Sequence, residues 1–264
     1  MDSAREIVLE DGRPGKDKHD LPSQNLFRKV VSKAESRGMV VNRGKTKILC
    51  ISDSQTYKAG AHIMDSEGNK LTSGGHLKVL GFHLDSRPSV HAQFQALKLW
   101  MRDTVWILRH LKIAGFVEQE LAVVYRTVIR LILDYCAVVY HPMMTDEQDQ
   151  MVKRMHAQAL KCIYGYRDRY RDRYAVMREK AGVTTHRARR IEMCDKFTQK
   201  AAHSPRFESW FPRRVGRSGR HGEEYQELQA RTDRLFNSPL YYFRRRMNGK
   251  PGKTYGQRNR RYRE

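Results

Sequence analysis

The most apolar stretch of the chain is VEQELAVVYRTVIRLILDYCAVVY, residues 117–140. Apolar side chains recur in it every three or four residues, which is the spacing of one face of an α-helix. The predicted stripe comprises Leu121, Val124, Tyr125, Val128, Leu131, Ile132 and Tyr135. A helix with so wide an apolar face is expected at the centre of a helical bundle. His141-Pro142 follows and predicts the end of the helix, because proline cannot continue it.

Helical periods on both sides of this stretch predict the rest of the bundle. A long amphipathic helix precedes it and ends near Lys112 or Gly115, with its apolar face formed by Phe94, Leu97, Trp100, Met101, Val105 and Leu108. The run Thr145-Asp146-Glu147-Gln148 has the pattern of a capping box. It opens a helix that stops near Gly165 and places Met151, Met155, Ala159 and Ile163 on one face. Two further helices are predicted at 174–181 and 185–203.

The region before Pro88 is predicted to contain one helix followed by strands. A helix is predicted from Pro22 to Arg37, ended by Gly38, with Leu26, Phe27, Val30, Val31 and Ala34 at helical spacing. GMVVNRGKTKILCIS, residues 38–52, is expected to be extended, with a cationic turn between two strand-like runs. A hairpin is predicted around 65–69, and HLKVLGFHLD, residues 76–85, is expected to be one strand with Leu77, Val79 and Phe82 on one side.

These patterns predict an α+β protein that is mainly helical. We expect an irregular arm at 1–22 and, at 23–87, a small antiparallel β unit with one helix. A helical bundle is expected at 88–203, and a basic, glycine-rich and partly disordered extension at 204–264.

The charge of the chain is strongly unbalanced, with 51 Lys and Arg against 29 Asp and Glu, a net charge of +22. Such a surplus attracts polyanions, and RNA, DNA or an RNA–DNA hybrid is the leading class of partner. An apolar run of about 18 residues, as a membrane span requires, is missing from the sequence, so no membrane partner is expected. The first 20 residues contain no apolar segment of a secretion signal, and we expect a cytoplasmic or nuclear protein that is not secreted.

Cysteine and histidine spacing does not predict a metal site. Cys50, Cys136, Cys162 and Cys194 lie far apart without a Cys-x-x-Cys pair, so reduced, mostly buried thiols are expected. Histidines 62, 76, 83 and 91 fall close together in sequence, but the strand alternation gives them no common face.

The run YRDRYRDRY, residues 166–174, repeats Arg-Asp-Arg-Tyr. It allows two interpretations: a solvated linker held by salt bridges, or arginines and aromatic rings that contact a nucleic acid.

Five motifs together resemble a known family. GMVVNRGKTKILCIS, LKVLGFHLD, WILRHLKIAGF, VYRTVIRLILDYCAVVYHP and QALKCIYGY occur in this order between residues 38 and 166. The order is similar to that at the C-terminal end of the reverse transcriptases of non-LTR (LINE-like) retrotransposons, over roughly residues 24–215. The resemblance implies that 23–87 corresponds to the end of the polymerase palm with its primer grip, a hairpin to which the LGFHLD strand belongs. It implies that 88–203 corresponds to the thumb, which holds the template–primer duplex.

The resemblance also assigns candidate residues. Leu80, Gly81 and Phe82 correspond to the primer grip. Lys45 and Lys47 are expected near the triphosphate of the incoming nucleotide, as point charges or as a general acid that protonates pyrophosphate; a pair of solvated turn lysines is the alternative. The predicted nucleic-acid contacts are Arg43, Lys45, Lys47, Arg109, Lys112, Arg167, Arg169, Arg171 and Arg173.

The catalytic motif of the family is missing from this sequence. These polymerases hold two Mg²⁺ ions on carboxylates that include a Tyr-x-Asp-Asp turn, and no Tyr-x-Asp-Asp occurs in the chain. Glu10-Asp11 lies in a Gly- and Pro-containing stretch without flanking apolar strands, and the fingers and the first half of the palm have no counterpart. We therefore expect a truncated reverse transcriptase-like protein with residual nucleic-acid binding, no bound metal or cofactor, and no polymerisation by this chain alone.

Two other functions stay open at this point. One is a helical protein-interaction module, which could self-associate through exposed apolar surfaces. The other is a retroelement remnant without a function.

Overall fold

The computed structural model describes residues 22–51, 62–65, 68–87, 89–165, 173–214, 224–226, 236 and 238–250. The chain divides into two compact units, Met1–Pro88 and Ser89–Glu264. Helices dominate the described residues, and the strands form small antiparallel pairs in the first unit. The predicted fold class, α+β and mainly helical, is confirmed.

The first unit contains one helix and two hairpins. Helix α1 spans Pro22–Glu35, and the chain leaves it through Gly38, whose φ of 72° is left-handed. Strands β1 (His62–Met64) and β2 (Lys70–Thr72) form the predicted hairpin. The Gln24 carboxamide holds α1 to β1, because it donates to the Met64 carbonyl and accepts from the Met64 amide, both at 2.7 Å. Val31 is buried as predicted, whereas Val30 is exposed.

The stretch 76–85 is a second hairpin and not the single strand that we predicted. Strands β3 (His76–Val79) and β4 (Phe82–Asp85) pair antiparallel, with Val79 opposite Phe82. Leu80 and Gly81 form the turn between them, and their φ angles of 49° and 87° are both positive. A two-residue turn with two positive φ angles matches the right-handed twist of a hairpin. The alternation of apolar residues concealed this turn, because Leu80 is apolar although its side chain is exposed.

The predicted turn at Asn42–Lys47 is present, but the strand-like runs on both sides of it do not form strands. The described residues 38–51 contain a short 3-10 turn, Arg43–Lys45, and a single parallel bridge between Ile48 and Ser73. The Asn42 side chain accepts from the Lys45 amide at 3.0 Å, and the Asn42 carbonyl accepts from the Thr46 hydroxyl at 2.9 Å. Asparagine commonly closes a turn in this way. Val40 is 93% exposed, so the apolar run before the turn lacks the buried face that would fix a strand.

Helices form the second unit. Helix α2 spans His91–Ile113, α3 spans Glu118–Val124 and a π-helical turn covers Tyr125–Ile129. The chain continues with α4 (Arg130–Asp134), α5 (Ala137–Tyr140), a 3-10 turn (His141–Met143), α6 (Asp146–Tyr164), α7 (Arg173–Lys180) and α8 (His186–Ala202). Helix α2 packs along α6. The capping box is confirmed: the Thr145 hydroxyl accepts from the Gln148 amide at 3.2 Å, and the Gln148 side chain accepts from the Thr145 amide at 3.0 Å.

The stretch 117–140 is helical as predicted, but it is not one α-helix and it buries another face. The π turn at Tyr125–Ile129 adds a residue to one turn, so the residues that follow are rotated relative to an uninterrupted α-helix. The buried positions are Leu121, Ala122, Tyr125, Ile129, Leu133, Ala137 and Tyr140. Val128, Leu131 and Tyr135, which we predicted to be buried, are exposed. Cys136, at φ 54°, then breaks the helix before α5.

The described part of the predicted basic extension is folded against the second unit. A 3-10 helix covers Pro205–Trp210, and helix α9 (Pro239–Met247) packs against α8. Their shared core contains Cys194, Ala201, Phe211, Tyr225, Tyr242 and Phe243. The Arg246 guanidinium binds both carboxylate oxygens of Asp195 on α8. An arginine-rich helix therefore contributes aromatic side chains to a core.

All four cysteines are free thiols, as predicted. Cys194 is buried and the other three are half-buried. The prediction of mostly buried thiols thus holds fully for Cys194 alone.

Candidate nucleic-acid interface

Two of the cations predicted around the first 3-10 turn, Lys45 and Lys47, lie at the surface. Lys45 and Lys47 are exposed, and the Asn42 side chain fixes the backbone of the turn at Lys45. Arg43 begins the turn. A fixed turn that presents two exposed lysines can place ammonium groups against a phosphate. The same arrangement would also suit solvated lysines, so the geometry leaves both interpretations of Lys45 and Lys47 open.

The predicted primer-grip residues form the tip of the β3–β4 hairpin. Leu80 and Gly81 make the turn, and Leu80 is 82% exposed. Phe82 is buried and anchors the start of β4. The tip is thus a backbone turn with an apolar side chain on the outside and an aromatic anchor inside.

Two predicted cations of the second unit, Arg109 and Lys112, lie at the C-terminal end of α6. The Lys112 ammonium donates to the carbonyls of Cys162 and Ile163, at 3.0 and 2.6 Å. Burial raises the pKa of the Cys162 thiol, and the nearby charges of Arg109 and Lys112 oppose that shift. Lys112 therefore caps α6, since a cation there compensates carbonyls that have no partner within the helix. Arg109 is exposed.

The arginines of the repeat YRDRYRDRY lie mostly outside the described residues. This applies to Arg167, Arg169 and Arg171, whereas Arg173 is exposed and begins α7. Tyr174, the last residue of the repeat, is partly buried, and its hydroxyl lies 2.6 Å from Nδ1 of His156. The end of the repeat is thereby fixed to α6.

The exposed face of α2 is a basic and aromatic surface of which the sequence reasoning predicted Arg109 alone. Leu99, Trp106 and Ile113 recur every seven residues and are all exposed. Lys98, Arg102 and Arg109 are exposed along one side of this row, at helical spacing. We call this set of six residues the α2 face. The seven-residue spacing of Leu99, Trp106 and Ile113 was visible in the sequence. It was overlooked because the buried side of the same helix has a stronger apolar period.

A buried polar cluster lies among α4, α6, α7 and α8, and it too was missed. Arg190 is 1% exposed, and its guanidinium binds the Asp149 carboxylate and lies 3.4 Å from Nδ1 of His141. In the sequence, HRARR at 186–190 looks like a solvated run of charge, and Asp149 looks like an acidic residue of a helix N-terminus. Asp149 is partly exposed, whereas Arg190 is fully buried, so loss of the Asp149 carboxylate would leave a buried charge without its counter-ion and would be strongly destabilising.

His156 and His186 form the second half of this cluster. The two rings meet edge to face at 4.5 Å, and the His156 ring stacks on Tyr125 at 5.5 Å. Burial lowers the pKa values of His141 and His156 to about 3 and lowers that of His186 well below its usual range. All three imidazoles are thus neutral at pH 7. His186 Nδ1 lies 3.7 Å from an oxygen of Asp134, too far for a hydrogen bond, and the Arg189 side chain compensates that carboxylate. The cluster is buried inside the helical unit and holds its helices together.

The described residues do not fit the two-metal site of a polymerase. No three side chains among their histidines, cysteines, aspartates and glutamates converge in a way that would hold a metal ion. Glu10 and Asp11 lie outside the described part of the chain. None of the helices described is long and apolar enough to cross a membrane.

Comparisons with protein-family models, with curated proteins and with solved structures find no match to this chain.

Proposed function

We propose that this chain is a reverse transcriptase-like protein of a non-LTR retroelement that binds template–primer nucleic acid and does not polymerise by itself. The observation that carries the proposal is the order of the five motifs, from GMVVNRGKTKILCIS at residue 38 to QALKCIYGY ending at residue 166. The sequence spans counterparts of the palm end, the primer grip and the thumb. Within the family these parts hold nucleic acid, while the metal-binding carboxylates lie elsewhere.

The local structure of the motifs supports this proposal. LKVLGFHLD lies in the β3–β4 hairpin, and most of the described residues of the three later motifs lie in helices of the second unit. A hairpin followed by a helical bundle is what the resemblance implies for a primer grip followed by a thumb. The net charge of +22 supports a polyanionic partner.

Binding of an RNA–DNA hybrid by the full chain across a series of salt concentrations tests this function. We expect the logarithm of the association constant to fall linearly with the logarithm of the salt concentration, because each phosphate contact releases counterions. An absent or salt-independent interaction would contradict the proposal.

A pair of matched double variants tests the role of the 3-10 turn. Lys45→Ala with Lys47→Ala should lower the magnitude of the salt slope by about 1.8, since each duplex phosphate contact contributes about 0.9. Lys29→Ala with Lys33→Ala removes two exposed lysines of α1 and should leave the slope unchanged. Equal salt slopes for both double variants would show that Lys45 and Lys47 are solvated and make no phosphate contact.

Primer extension with Mg²⁺ or Mn²⁺ tests the other half of the proposal. The purified chain should incorporate no deoxynucleotide, because its sequence has no Tyr-x-Asp-Asp to hold the metal ions. Incorporation would show that the chain assembles a metal site from other carboxylates.

A second candidate function, self-association, is favoured by an exposed apolar stripe on the segment 118–140. Val128, Leu131, Tyr135 and Val139 are all exposed, and none carries a charge. The neighbouring cations Arg126 and Arg130 are directed to the α7–α8 connection, where they donate to the Ala181 carbonyl and the Thr184 hydroxyl. In a chain of net charge +22, an uncharged apolar surface is where a second copy meets the least repulsion.

Sedimentation of the full chain at low and high salt separates this candidate from nucleic-acid binding. If the stripe pairs two copies, association should strengthen as salt screens the like charges, which is opposite to the salt dependence of nucleic-acid binding. Leu131→Asp should then give a monomer. Val40→Asp, on an exposed apolar residue of the first unit, is the matched control and should leave the dimer intact. A monomer under all conditions would exclude the candidate.

A further inference from the structure

The α2 face combines an exposed aromatic ring with a row of cations. Trp106 is 58% exposed and lies midway between Leu99 and Ile113 along the helix. From Lys98 to Arg109 the helix rises about 16 Å, which is the length of about five stacked nucleotides in one strand. Arg102 pairs with the adjacent Asp103 at 3.1 Å, and because both side chains are well exposed this ion pair holds the guanidinium weakly.

The indole ring of Trp106 is held in place from one side. His110, one turn further along α2, lies against it with the two ring centroids 3.7 Å apart. The His110 ring is itself fixed, because its Nδ1 lies 2.9 Å from the Trp106 carbonyl oxygen. An aromatic ring that is already ordered loses little conformational entropy when it binds a flat ligand. The exposed part of the indole is therefore a preorganised stacking surface.

We infer that four residues of the α2 face bind single-stranded nucleic acid: an unpaired base stacks on Trp106, and Lys98, Arg102 and Arg109 bind phosphates. The inference rests on the proposed nucleic-acid function and adds to it a subsite and a strand preference. Charge complementarity selects a polyanion, and the exposed ring selects unpaired bases, because a paired base within a duplex has no free face to offer. Base stacking on an aromatic ring combined with a cationic groove is the usual way in which proteins hold single strands.

The competing occupant of such a surface would be an apolar helix of a protein partner, received by Leu99, Trp106 and Ile113. Three cations beside the row disfavour an apolar partner, since they would lose hydration without gaining an opposite charge. An apolar contact of this kind would make Leu99→Ala as damaging to binding as Trp106→Ala.

The test compares the binding of a single-stranded oligo(dT) and of a blunt RNA–DNA hybrid by the full chain, measured by fluorescence anisotropy of the labelled nucleic acids. Trp106→Ala should weaken oligo(dT) binding roughly tenfold, within the range known for one stacked base, and should change hybrid binding less. Trp106→Phe should lose less affinity than Trp106→Ala, because a smaller ring remains. Leu99→Ala removes an apolar side chain of the same row without an aromatic ring, and it should stay within about twofold of the wild type.

The cationic part of the subsite has its own measurement. Arg102→Ala with Arg109→Ala should lower the magnitude of the oligo(dT) salt slope by about 1.4, since each single-strand phosphate contact contributes about 0.7. Lys196→Ala with Lys200→Ala, on the exposed side of α8, is the control and should leave the slope unchanged. All these positions are exposed, so circular dichroism should show unchanged helix content in every variant.

The outcomes separate this inference from the proposed function. If the wild type binds the hybrid and Trp106→Ala binds oligo(dT) like the wild type, the subsite is wrong while the proposed function stands. If the wild type binds neither nucleic acid, both are wrong. Equal losses with Trp106→Ala and Leu99→Ala would indicate an apolar contact in place of stacking and would overturn the inference.

Discussion

Helix α2 and the segment 118–140 are the two longest apolar stretches of the second unit, and they differ in how well their periods predicted burial. Along α2 the hydrogen-bond ladder is continuous, and of the six predicted residues Trp100 is half-buried, while the other five are buried: Phe94, Leu97, Met101, Val105 and Leu108. In the segment 118–140 the predicted residues Leu121 and Tyr125 are buried and Val124 and Ile132 are half-buried, whereas Val128, Leu131 and Tyr135 are exposed. The failure begins at the π turn. A period of 3.6 predicts the buried face only while the backbone keeps that period.

The surroundings of the two buried faces differ as well. The buried face of α2 is largely apolar and packs along α6. On the segment 118–140, Tyr125 stacks on His156, and Asp134 faces His186 and Arg189. The segment thus joins an apolar core to a buried polar cluster, whereas α2 contributes little polarity to the interior.

The exposed sides of the two stretches show a third difference. The α2 face carries three cations beside Trp106, whereas the stripe of Val128, Leu131, Tyr135 and Val139 carries none. Both are exposed apolar rows, yet charge suits the first to a polyanion and the second to another protein surface.

The largest expected effect is a loss of stability in acid, which originates in the polar cluster. Unfolded histidines bind protons below about pH 6.5, while His141 and His156 stay neutral in the folded state down to about pH 3. Between these values the unfolded state binds more protons, so the free energy of unfolding falls as pH falls. The slope is up to about 1.4 kcal/mol per pH unit for each such histidine. Urea unfolding followed by circular dichroism at pH 7 and pH 5 measures it.

A matched pair of variants assigns this acid sensitivity to the cluster. His156→Gln should reduce the difference between pH 7 and pH 5, because one buried titrating group is gone. His203→Gln, on an exposed histidine at the end of α8, should leave the difference unchanged. Equal stability of the wild type at both pH values would contradict the burial of neutral histidines.

The second prediction concerns the face that the π turn selects. Leu133→Ala should lower the free energy of unfolding by about 2–5 kcal/mol, because Leu133 is fully buried and its truncation leaves a cavity. Leu131→Ala, the same change two residues earlier, should stay within about 0.5 kcal/mol of the wild type, since Leu131 is 58% exposed. Urea unfolding measures both. A larger loss of stability in Leu131→Ala than in Leu133→Ala would indicate the uninterrupted α-helix that the sequence predicted.

The smallest effect is expected at Cys136, where the segment breaks. Its φ of 54° is left-handed, which strains residues that have a Cβ atom by about 1–2 kcal/mol. Cys136→Gly should therefore be more stable than Cys136→Val by about that amount. Cys162 lies within the right-handed α6 and serves as the control, since there the valine variant should be the more stable of the two. If the valine variant were the more stable of the two at Cys136 as well as at Cys162, the left-handed break at Cys136 would be contradicted.

The first unit shows how turn chemistry escaped the sequence reasoning. The hairpin around 65–69 was found because polar and glycine residues separate its strands. The β3–β4 hairpin was missed because its turn begins with the apolar Leu80, and only Gly81 signalled a turn. Asn42 was visible in the sequence, but its hydrogen bonds to Lys45 and Thr46 depend on how the backbone folds around it.

For the candidate residues, too, the sequence predicted some properties and not others. Exposed lysines and arginines could be selected from sequence by their charge, and Lys45, Lys47, Arg109 and Arg173 do lie at the surface. Which cation is already engaged could not be predicted: Lys112 caps α6, and Arg190 is buried against Asp149. A side chain's partner depends on the packing of distant elements, here 50 and 41 residues away along the chain.

The sequence by itself determined the fold class, most helices, the capping box at Thr145, the first hairpin and the strongly cationic character, because these depend on local periods, local turn residues and composition. Only the tertiary structure decided which face of 118–140 is buried, that charged and histidine side chains fill part of the interior, and that Trp106 stands exposed beside a row of cations. The physical reason is that burial and pairing follow from contacts between distant segments. A single π turn is enough to change those contacts while leaving the apolar composition of the segment as it was.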